Sequence, residues 1–413
     1  MNFGDLADHF DGVAAKILST VETVGRSSNQ HELDGVKALQ ALFGRPAERL
    51  IIPTRFLRMS DQVDEPFTED GTLTFYDARA NTPKRSEYRL YYPASVDAMK
   101  NAQPGDVVFI AKQKSHGVLF IVAPSGSSIA AQLDWLFGTN VLEHKGFSVR
   151  SELRNGQGLS LTALYLLDML GLAIEPRNDD WLDKLLEKFG PRFPTSAEFG
   201  AFARSTLPDM DPTENPDNVL MAWLEQEELL FRTLERHLAT DALGTLYRHG
   251  RVDVDSFIEV SLSLHNRRKS RAGKGLENQL IALFRAMNLR HSFNPVTENR
   301  ARPDFIFPGI NEYKDSQFSE FNLTMLGVKT TCKDRWRQVL SEAKRIDGKH
   351  LLTLESPISP SQTDEMKDNK LQLVIPLPLQ RAYKPHQRAW IMSVDDFIQM
   401  ARERDRMPSS ALF

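Results

Sequence analysis

The sequence contains only one cysteine, Cys332. A single cysteine excludes an internal disulfide and any zinc or iron–sulfur site built from several thiolates. The ten histidines form no paired spacing of the His-Glu-x-x-His kind, so a histidine metal site is not expected. No apolar run approaches the roughly 18 residues that a membrane span requires, and the acidic amino terminus precedes no signal-like block. We therefore expect a cytoplasmic protein without a membrane partner.

The chain also lacks a net positive charge. Its 51 basic and 55 acidic residues give a net charge of −4, which is no global signature of nucleic-acid binding. Lys274 is followed by glycine rather than the Ser or Thr of a phosphate-binding loop, so no nucleotide cofactor is expected. Positive charge is concentrated in residues 267–274, where five cations occur in eight residues. Such a run is typical either of a solvated loop or of a DNA-binding surface.

A length of 413 residues predicts two or three domains. Residues 1–175 are predicted to form a β-rich domain, because short β-like stretches are separated by glycines and prolines. Helices are expected over Leu6–Glu22 and Glu32–Phe43, and a further one near Ile129–Phe137. The predicted strands are Leu73–Tyr76, Tyr88–Tyr92, Val107–Ala111 and Val118–Ala123.

Residues 176–413 are predicted to form an α/β domain with a helical lead-in. Helical periodicity dominates its first part, and strands alternate with helices after Val254. The predicted helices are Trp181–Phe189, Ser196–Arg204, Val219–Leu238, Leu276–Asn288 and Lys333–Ile346, and the predicted strands are Phe305–Phe307, Leu323–Val328 and Gln372–Pro376.

Three Pro-Asp pairs occur in the chain, and only Pro303-Asp304 leads into an apolar strand. The next predicted strand runs up to Lys329, so the two strands would bring a carboxylate and an ammonium group to one sheet edge. This combination suits phosphodiester hydrolysis, in which Mg²⁺ polarises the phosphate and activates a bound water.

The usual nuclease pattern has an acidic residue two positions before the lysine, where this chain has Gly327. Glu342 would replace it, because it lies at the edge of the apolar stripe of the predicted Lys333–Ile346 helix. Arg335 would lie on the same side of that helix, seven residues earlier. In the alternative interpretation, Glu342, Lys344 and Arg345 form a solvated helix flank and Lys329 only caps a strand.

Two other clusters are candidates for DNA contact. Lys333, Asp334 and Arg335 combine donors that suit guanine with an acceptor that suits cytosine, although Asp334 is also an ordinary first-turn acid. In the first domain, basic side chains stand beside tyrosines that would either stack on bases or pack on their own core. These basic residues are Arg79, Lys84, Arg85 and Arg89, and the tyrosines are Tyr88, Tyr91 and Tyr92. Trp336 is predicted to be a core anchor and Tyr313 a packing residue.

The stretches 266–277, 302–308 and 328–338 together resemble the catalytic domain of EcoRII-type restriction endonucleases, over roughly residues 176–413. The resemblance implies a PD-(D/E)xK nuclease with a migrated acid. Its catalytic residues would be Asp304, Lys329, Glu342 and the auxiliary acid Glu277, with Mg²⁺ held by Asp304 and Glu342. The residues that read the bases would be Lys333, Asp334 and Arg335. From the basic cluster, we predict Arg268 and Arg271 as further DNA-binding residues.

The same resemblance implies a homodimer that cuts double-stranded DNA at short CC/GG-containing sites, and a B3-like amino-terminal effector domain that restrains it. Two alternatives stay open at this point. One is a nuclease that depends on modified or mismatched DNA. The other is a DNA-binding regulator whose nuclease fold no longer cuts.

Overall fold

The structure is a computed structural model that describes residues 3–23, 31–33, 36–63, 65–80, 86–115, 117–143, 146–153, 159–172, 174–176, 181–248, 251–332 and 335–406. Four of the predicted DNA-binding residues, Lys84, Arg85, Lys333 and Asp334, lie outside these ranges. No helix within the described ranges is both long enough and apolar enough to cross a membrane.

The chain divides into two compact units. The first comprises Phe3–Ile174 together with Pro357–Gln362, and the second comprises Glu175–Ser356 and Thr363–Phe413. The six residues 357–362 therefore belong to the first unit, although the sequence predicted them to be part of the second.

The first unit is built on an eight-stranded sheet with the strand order β2-β5-β4-β3-β7-β6-β1-β8. All its strand pairs are antiparallel except β3 with β7. The strands are β1 (Phe10–Ile17), β2 (Glu32–Leu33), β3 (Leu50–Arg58), β4 (Phe67–Asp77), β5 (Tyr88–Tyr91), β6 (Val107–Gln113), β7 (Val118–Ala123) and β8 (Ser148–Arg150). The helices are α1 (Thr20–Thr23), α2 (Gln40–Phe43), α3 (Asp97–Lys100), α4 (Ser128–Phe137) and α5 (Leu161–Met169).

The β-rich character predicted for this half of the chain is confirmed, but the helix predicted over Leu6–Glu22 is wrong. Its central part is strand β1, which pairs with β6 on one side and β8 on the other. Val13, Ala14 and Ala15 are fully buried there. A strand buried on both faces has a continuous apolar run instead of an alternating one, and such a run resembles a helix segment in sequence.

The second unit begins with helices and continues into a five-stranded mixed sheet. The helices are α6 (Leu182–Phe189), α7 (Ser196–Ser205), α8 (Pro216–Leu246), α9 (Val254–Ala286), α10 (Ile310–Lys314), α11 (Trp336–Leu340), α12 (Pro360–Asp368), α13 (Pro385–Arg388) and α14 (Val394–Arg406). The first three residues of α12 are assigned to the first unit. Strands β9 (Tyr247–Arg248) and β10 (Arg251–Val252) join α8 to α9. The sheet has the order β11-β12-β13-β14-β15, with β11 (Ser292–Phe293), β12 (Phe305–Phe307), β13 (Thr324–Lys329), β14 (Lys349–Thr353) and β15 (Leu371–Val374).

The core of this sheet is aromatic. Phe284 of α9 packs edge-on against Phe305 and Phe307 of β12, at ring distances of 5.2 and 5.3 Å. Phe397 of α14 contacts Phe307 on the same strand. This packing fixes the carboxyl-terminal half of α9 across the strand that follows Asp304.

Two predicted helix boundaries need correction. Helix α9 begins at Val254, not near Leu276, so the basic run 267–274 is helical instead of a loop. The helix predicted over Lys333–Ile346 is limited to Trp336–Leu340, and Ala343 has a left-handed φ of 45°. Glu342 therefore lies in a turn after α11, and the predicted helical alignment of Arg335 with Glu342 is wrong.

Candidate active site

Asp304 and Lys329 meet at one edge of the sheet in the second unit. Strands β12 and β13 pair antiparallel, with Phe305 opposite Leu326. Asp304 immediately precedes β12 and Lys329 ends β13, so the strand pairing brings both residues to the same edge. The Lys329 Nζ lies 3.3 Å from Asp304 Oδ2. The two side chains are 25% and 18% exposed, which leaves both accessible from solvent.

Asp304 is held by the neighbouring strand through one carboxylate oxygen. Its Oδ2 accepts a bond of 2.6 Å from the backbone N–H of Val328 as well as the bond from Lys329. No described residue donates to Oδ1 in the structure. The carboxylate is thus fixed in orientation while one oxygen stays available for another ligand.

Glu342 reaches this pair from the turn after α11. Burial, and then the charge of Asp304, raise the pKa of Glu342 to about 7, while Lys329 and Lys349 act in the opposite direction. Its Oε2 is buried without a hydrogen-bond partner. A buried carboxylate oxygen with no donor is costly, and a bound cation would offset that cost.

Glu277 approaches from α9. Burial is the main cause of its raised pKa, followed by the negative charge of Asp304, and Lys329 and Lys274 counteract both effects. The four predicted catalytic side chains therefore share one electrostatic environment, although they come from a loop, a strand, a turn and a helix.

Gly327 leaves room for the helix that precedes Glu342. A Cβ atom at this position would lie 2.9 Å from Val339 Cγ2 and 3.0 Å from Cγ1, closer than such atoms normally approach. Val339, on α11, is itself fully buried. The usual nuclease pattern has an acidic side chain at this position. In this chain the space that such a side chain would need is occupied by Val339 of α11.

The arrangement fits a divalent cation held by two carboxylates. Among the described residues, no three His, Cys, Asp or Glu side chains are close enough to form a metal site. Mg²⁺ often takes only one or two protein carboxylates and completes its shell with water and substrate phosphate. The unpartnered Glu342 Oε2 and the available Asp304 Oδ1 are of the required donor type.

The predicted DNA-binding residues that the structure describes in the second unit differ in their exposure and in their ion-pair partners. Arg335 directly precedes α11 and is partly exposed. Arg271 is only 10% exposed and forms ion pairs with Glu227 and Glu228 of α8. Arg268 is 42% exposed and pairs with Glu235 at 2.7 Å. These α9 contacts hold two helices together, so a DNA-binding role for Arg268 and Arg271 stays a prediction.

In the first unit, Arg89 pairs with Glu32 at 3.1 Å and with Glu87 at 3.0 Å. Tyr88 stacks on the buried Phe75, and Tyr92 is buried. The alternative in which this aromatic strand faces its own core is therefore correct for these two tyrosines.

A groove of about 840 Å³ begins beside Glu277 and follows α9. Arg267 and Lys274 line it and are exposed. The Arg267 guanidinium lies 4.4 Å from the centre of the Phe193 ring, a cation–π contact that restricts its motion.

The residues that stabilise the Glu342 turn were not predicted as such from the sequence. Arg345 donates to several backbone carbonyls of residues 312–318, and Tyr313 links it to Glu298. Arg345 is only 16% exposed, so its interpretation as part of a solvated flank is wrong. The packing predicted for Tyr313 and Trp336 is confirmed, because both are buried.

Residues 231–398 match the family model described as EcoRII C terminal. This part of the chain is similar to the carboxyl-terminal domain of EcoRII. The resemblance inferred from the sequence is confirmed, and the fold of the domain is restriction-endonuclease-like.

Two curated relatives are similar to the chain. Type II restriction enzyme EcoRII of Escherichia coli is 38% identical over 248 residues, which are 60% of this chain and 59% of that enzyme. Type II restriction enzyme SsoII of Shigella sonnei is 25% identical over 159 residues, 36% of this chain and 50% of that enzyme. The chain thus spans little more than half the length of these relatives.

Two solved structures are also similar. Metal-depleted Ecl18kI in complex with uncleaved DNA has 20% identity and a TM-score of 0.45, covering 57% of this chain and 88% of that one. The restriction endonuclease PspGI–substrate DNA complex has 15% identity and a TM-score of 0.41, covering 51% and 94%.

Proposed function

We propose that the protein is a type II restriction endonuclease that hydrolyses double-stranded DNA with the help of Mg²⁺. The observation that carries the proposal is the Asp304–Lys329 pair at one sheet edge, beside the buried and unpartnered carboxylate oxygen of Glu342. The names of the two curated relatives support the same activity.

In this proposal Asp304 and Glu342 hold the cation, which supplies charge to the scissile phosphate and lowers the pKa of a bound water. Lys329 orients the attacking water and stabilises the negative charge that develops on the phosphate in the transition state. Its 3.3 Å contact with Asp304 keeps the ammonium group directed at the site. Glu277 acts as an auxiliary acid from the helix side.

Base recognition is assigned to Lys333, Asp334 and Arg335, immediately before α11, at a site that contains CC/GG. Helix α11 lies between Arg335 and Glu342 in the chain. Base recognition and metal binding would therefore use the two ends of one short segment. The groove along α9, with Arg267 and Lys274, provides a positively charged path for the DNA backbone.

Cleavage of both strands requires two such sites, so we propose a homodimer with two-fold symmetry on a nearly palindromic sequence. The amino-terminal unit would be a B3-like DNA-binding effector module that allows a second DNA site to control cleavage. The β-rich fold of that unit supports this role.

The test is cleavage of plasmid DNA by the full chain with Mg²⁺, followed by sequencing of the fragment ends. We expect 5′-phosphate ends at one short CC/GG-containing sequence. Lys329→Ala should reduce the rate by at least about 100-fold, in the range for loss of a group that stabilises transition-state charge. Lys314→Ala, which removes an exposed lysine elsewhere in the unit, is the matched control. Wild-type cleavage by Lys329→Ala would refute the proposal.

A further inference from the structure

The turn that carries Glu342 has little regular structure of its own. Helix α11 ends at Leu340 and β14 begins only at Lys349. Ala343, directly after Glu342, has a φ of 45°, a conformation that costs energy for any residue with a side chain. An acid on a strand is positioned by the sheet, whereas an acid in this turn depends on contacts made by the turn.

Arg345 makes most of those contacts. Its Nη1 donates to the backbone carbonyls of Tyr313, of Asp315 at 2.7 Å and of Glu312 at 3.3 Å. Its Nη2 donates to the carbonyl of Phe318. The planar guanidinium thus spans the end of α10 and the loop that follows it.

A second connection joins the backbone of the same turn to a neighbouring side chain. The backbone N–H of Arg345 donates to the Tyr313 hydroxyl at 3.3 Å, and that hydroxyl donates to the Glu298 carboxylate at 2.7 Å. The backbone of Lys344 also hydrogen-bonds Glu298. Burial, followed by the bond to Glu298, raises the pKa of Tyr313 to about 12, so its hydroxyl remains a donor at neutral pH.

We infer that Arg345 is a positioning residue for Glu342, and hence for the cation that Glu342 would help to hold. This inference rests on the proposed function. Only the guanidinium fork reaches several carbonyls at once, because a lysine ammonium is a point charge on a flexible chain. Residues that orient metal ligands typically change metal affinity by about 10- to 100-fold when they are replaced.

The experiment measures Ca²⁺ binding by calorimetry to the full chain on uncleaved duplex DNA, so that no turnover is needed. The variants are Arg345→Lys, Glu342→Gln and the double variant. Lys367→Ala removes an exposed charge from α12, outside both connections, and is the control. Thermal unfolding of each variant reports whether a loss of binding merely follows a loss of stability.

We expect Arg345→Lys to weaken Ca²⁺ binding by about 10- to 100-fold, with an unfolding midpoint close to that of the wild type and with Lys367→Ala unaffected. Adding Arg345→Lys to Glu342→Gln should cause no further loss, because Arg345 acts through Glu342. Tyr313→Phe, a milder change at the second connection, should weaken binding in the same direction.

Unchanged Ca²⁺ affinity in Arg345→Lys would overturn the inference. So would an additional loss in the double variant, or a loss explained entirely by a lower unfolding midpoint. A wild-type chain that binds Ca²⁺ through Glu342 with this coupling, and yet never cuts DNA, would support the inference while refuting the proposed function.

Discussion

Val339 packs directly against Gly327, with its Cγ2 atom 2.9 Å from the position that a Cβ of residue 327 would occupy. An acidic side chain at position 327, two residues before Lys329, is therefore incompatible with the position of α11. The position of Glu342, in contrast, depends on where α11 lies. The two places for the acid exclude each other sterically.

This exclusion predicts the outcome of moving the acid. Glu342→Gln should abolish cleavage, and adding Gly327→Asp should not restore it, because overpacking costs about 1–3 kcal/mol and displaces α11. Adding Val339→Ala as well should recover measurable cleavage, since it removes both crowding methyl groups. Val339→Ala alone is the control, and plasmid cleavage rates are the measurement. Recovery by Gly327→Asp without Val339→Ala would contradict the steric argument.

The hydrogen bonds of Asp217 lead to a prediction about stability that does not involve the candidate active site. This buried side chain accepts backbone N–H bonds from Leu377, Val394 and Asp395, at 2.7, 2.9 and 3.0 Å, and so ties α8 to the start of α14. Asp217→Ala should lower the free energy of unfolding by about 2–3 kcal/mol, because three backbone donors, one buried and two partly buried, lose their acceptor. Asp209→Ala, at an exposed Pro-Asp pair, should change it by less than about 0.5 kcal/mol. Equal unfolding curves for the two variants would refute this role.

A substitution at Arg271 distinguishes a role in protein stability from a role in DNA binding. Removing the Arg271 side chain would leave the buried carboxylates of Glu227 and Glu228 with fewer partners. Breaking a buried ion pair in this way lowers the free energy of unfolding by about 3–5 kcal/mol. Arg271→Ala should therefore lower the unfolding midpoint strongly, and Arg285→Ala, an exposed change on the same helix, should not. If Arg271→Ala kept its stability and lost only DNA affinity, the structural role would be wrong and the DNA-binding prediction would gain support.

His350 predicts a pH dependence of stability. Burial, and then the charge of Arg404, lower the pKa of His350 to about 3. In the unfolded chain the pKa of a histidine is about 6.5. Between these values only the unfolded chain binds the proton, so stability falls as the pH decreases from about 6.5 towards 3, by at most about 1.4 kcal/mol per pH unit. Above pH 6.5 this contribution is fully present.

Denaturant unfolding at pH 7.5, 6.0 and 5.0 would measure this effect. His350→Gln should lose stability less steeply than the wild type as the pH decreases, because the replacement does not titrate. The exposed His386→Gln should follow the wild-type slope. Parallel curves for all three proteins would show that His350 does not contribute.

Local sequence was sufficient for some elements of the fold. Strands Val118–Ala123 and Phe305–Phe307 have the predicted limits, because each is a short apolar run between turn signals. The meeting of Asp304 and Lys329 followed from the same pattern, since antiparallel neighbours bring the start of one strand to the end of the next.

Other elements depend on tertiary contacts that no local pattern reveals. The part of α9 before Leu276 lacks a regular apolar face and includes Gly273 and Gly275. A Cβ at Gly275 would lie 2.9 Å from Glu227 Oε1, so this glycine permits the close approach of α8. The early end of α11 likewise depends on Arg345 and its bonds to carbonyls about 30 residues earlier in the chain.

The assignment of residues 357–362 to the first unit has a consequence for how the chain is made. Within the residues that the structure describes, the backbone passes between the two units three times, after Ile174, Ser356 and Gln362. Within the first unit, Ser128 Oγ accepts from the backbone N–H of Ser359 and Gln132 donates to the carbonyl of Pro357. During synthesis the amino-terminal unit therefore emerges first but receives its last segment only after most of the second unit has been translated. Cutting the gene at residue 175 would release a second unit that still carries a six-residue piece of its neighbour, including the buried Ile358.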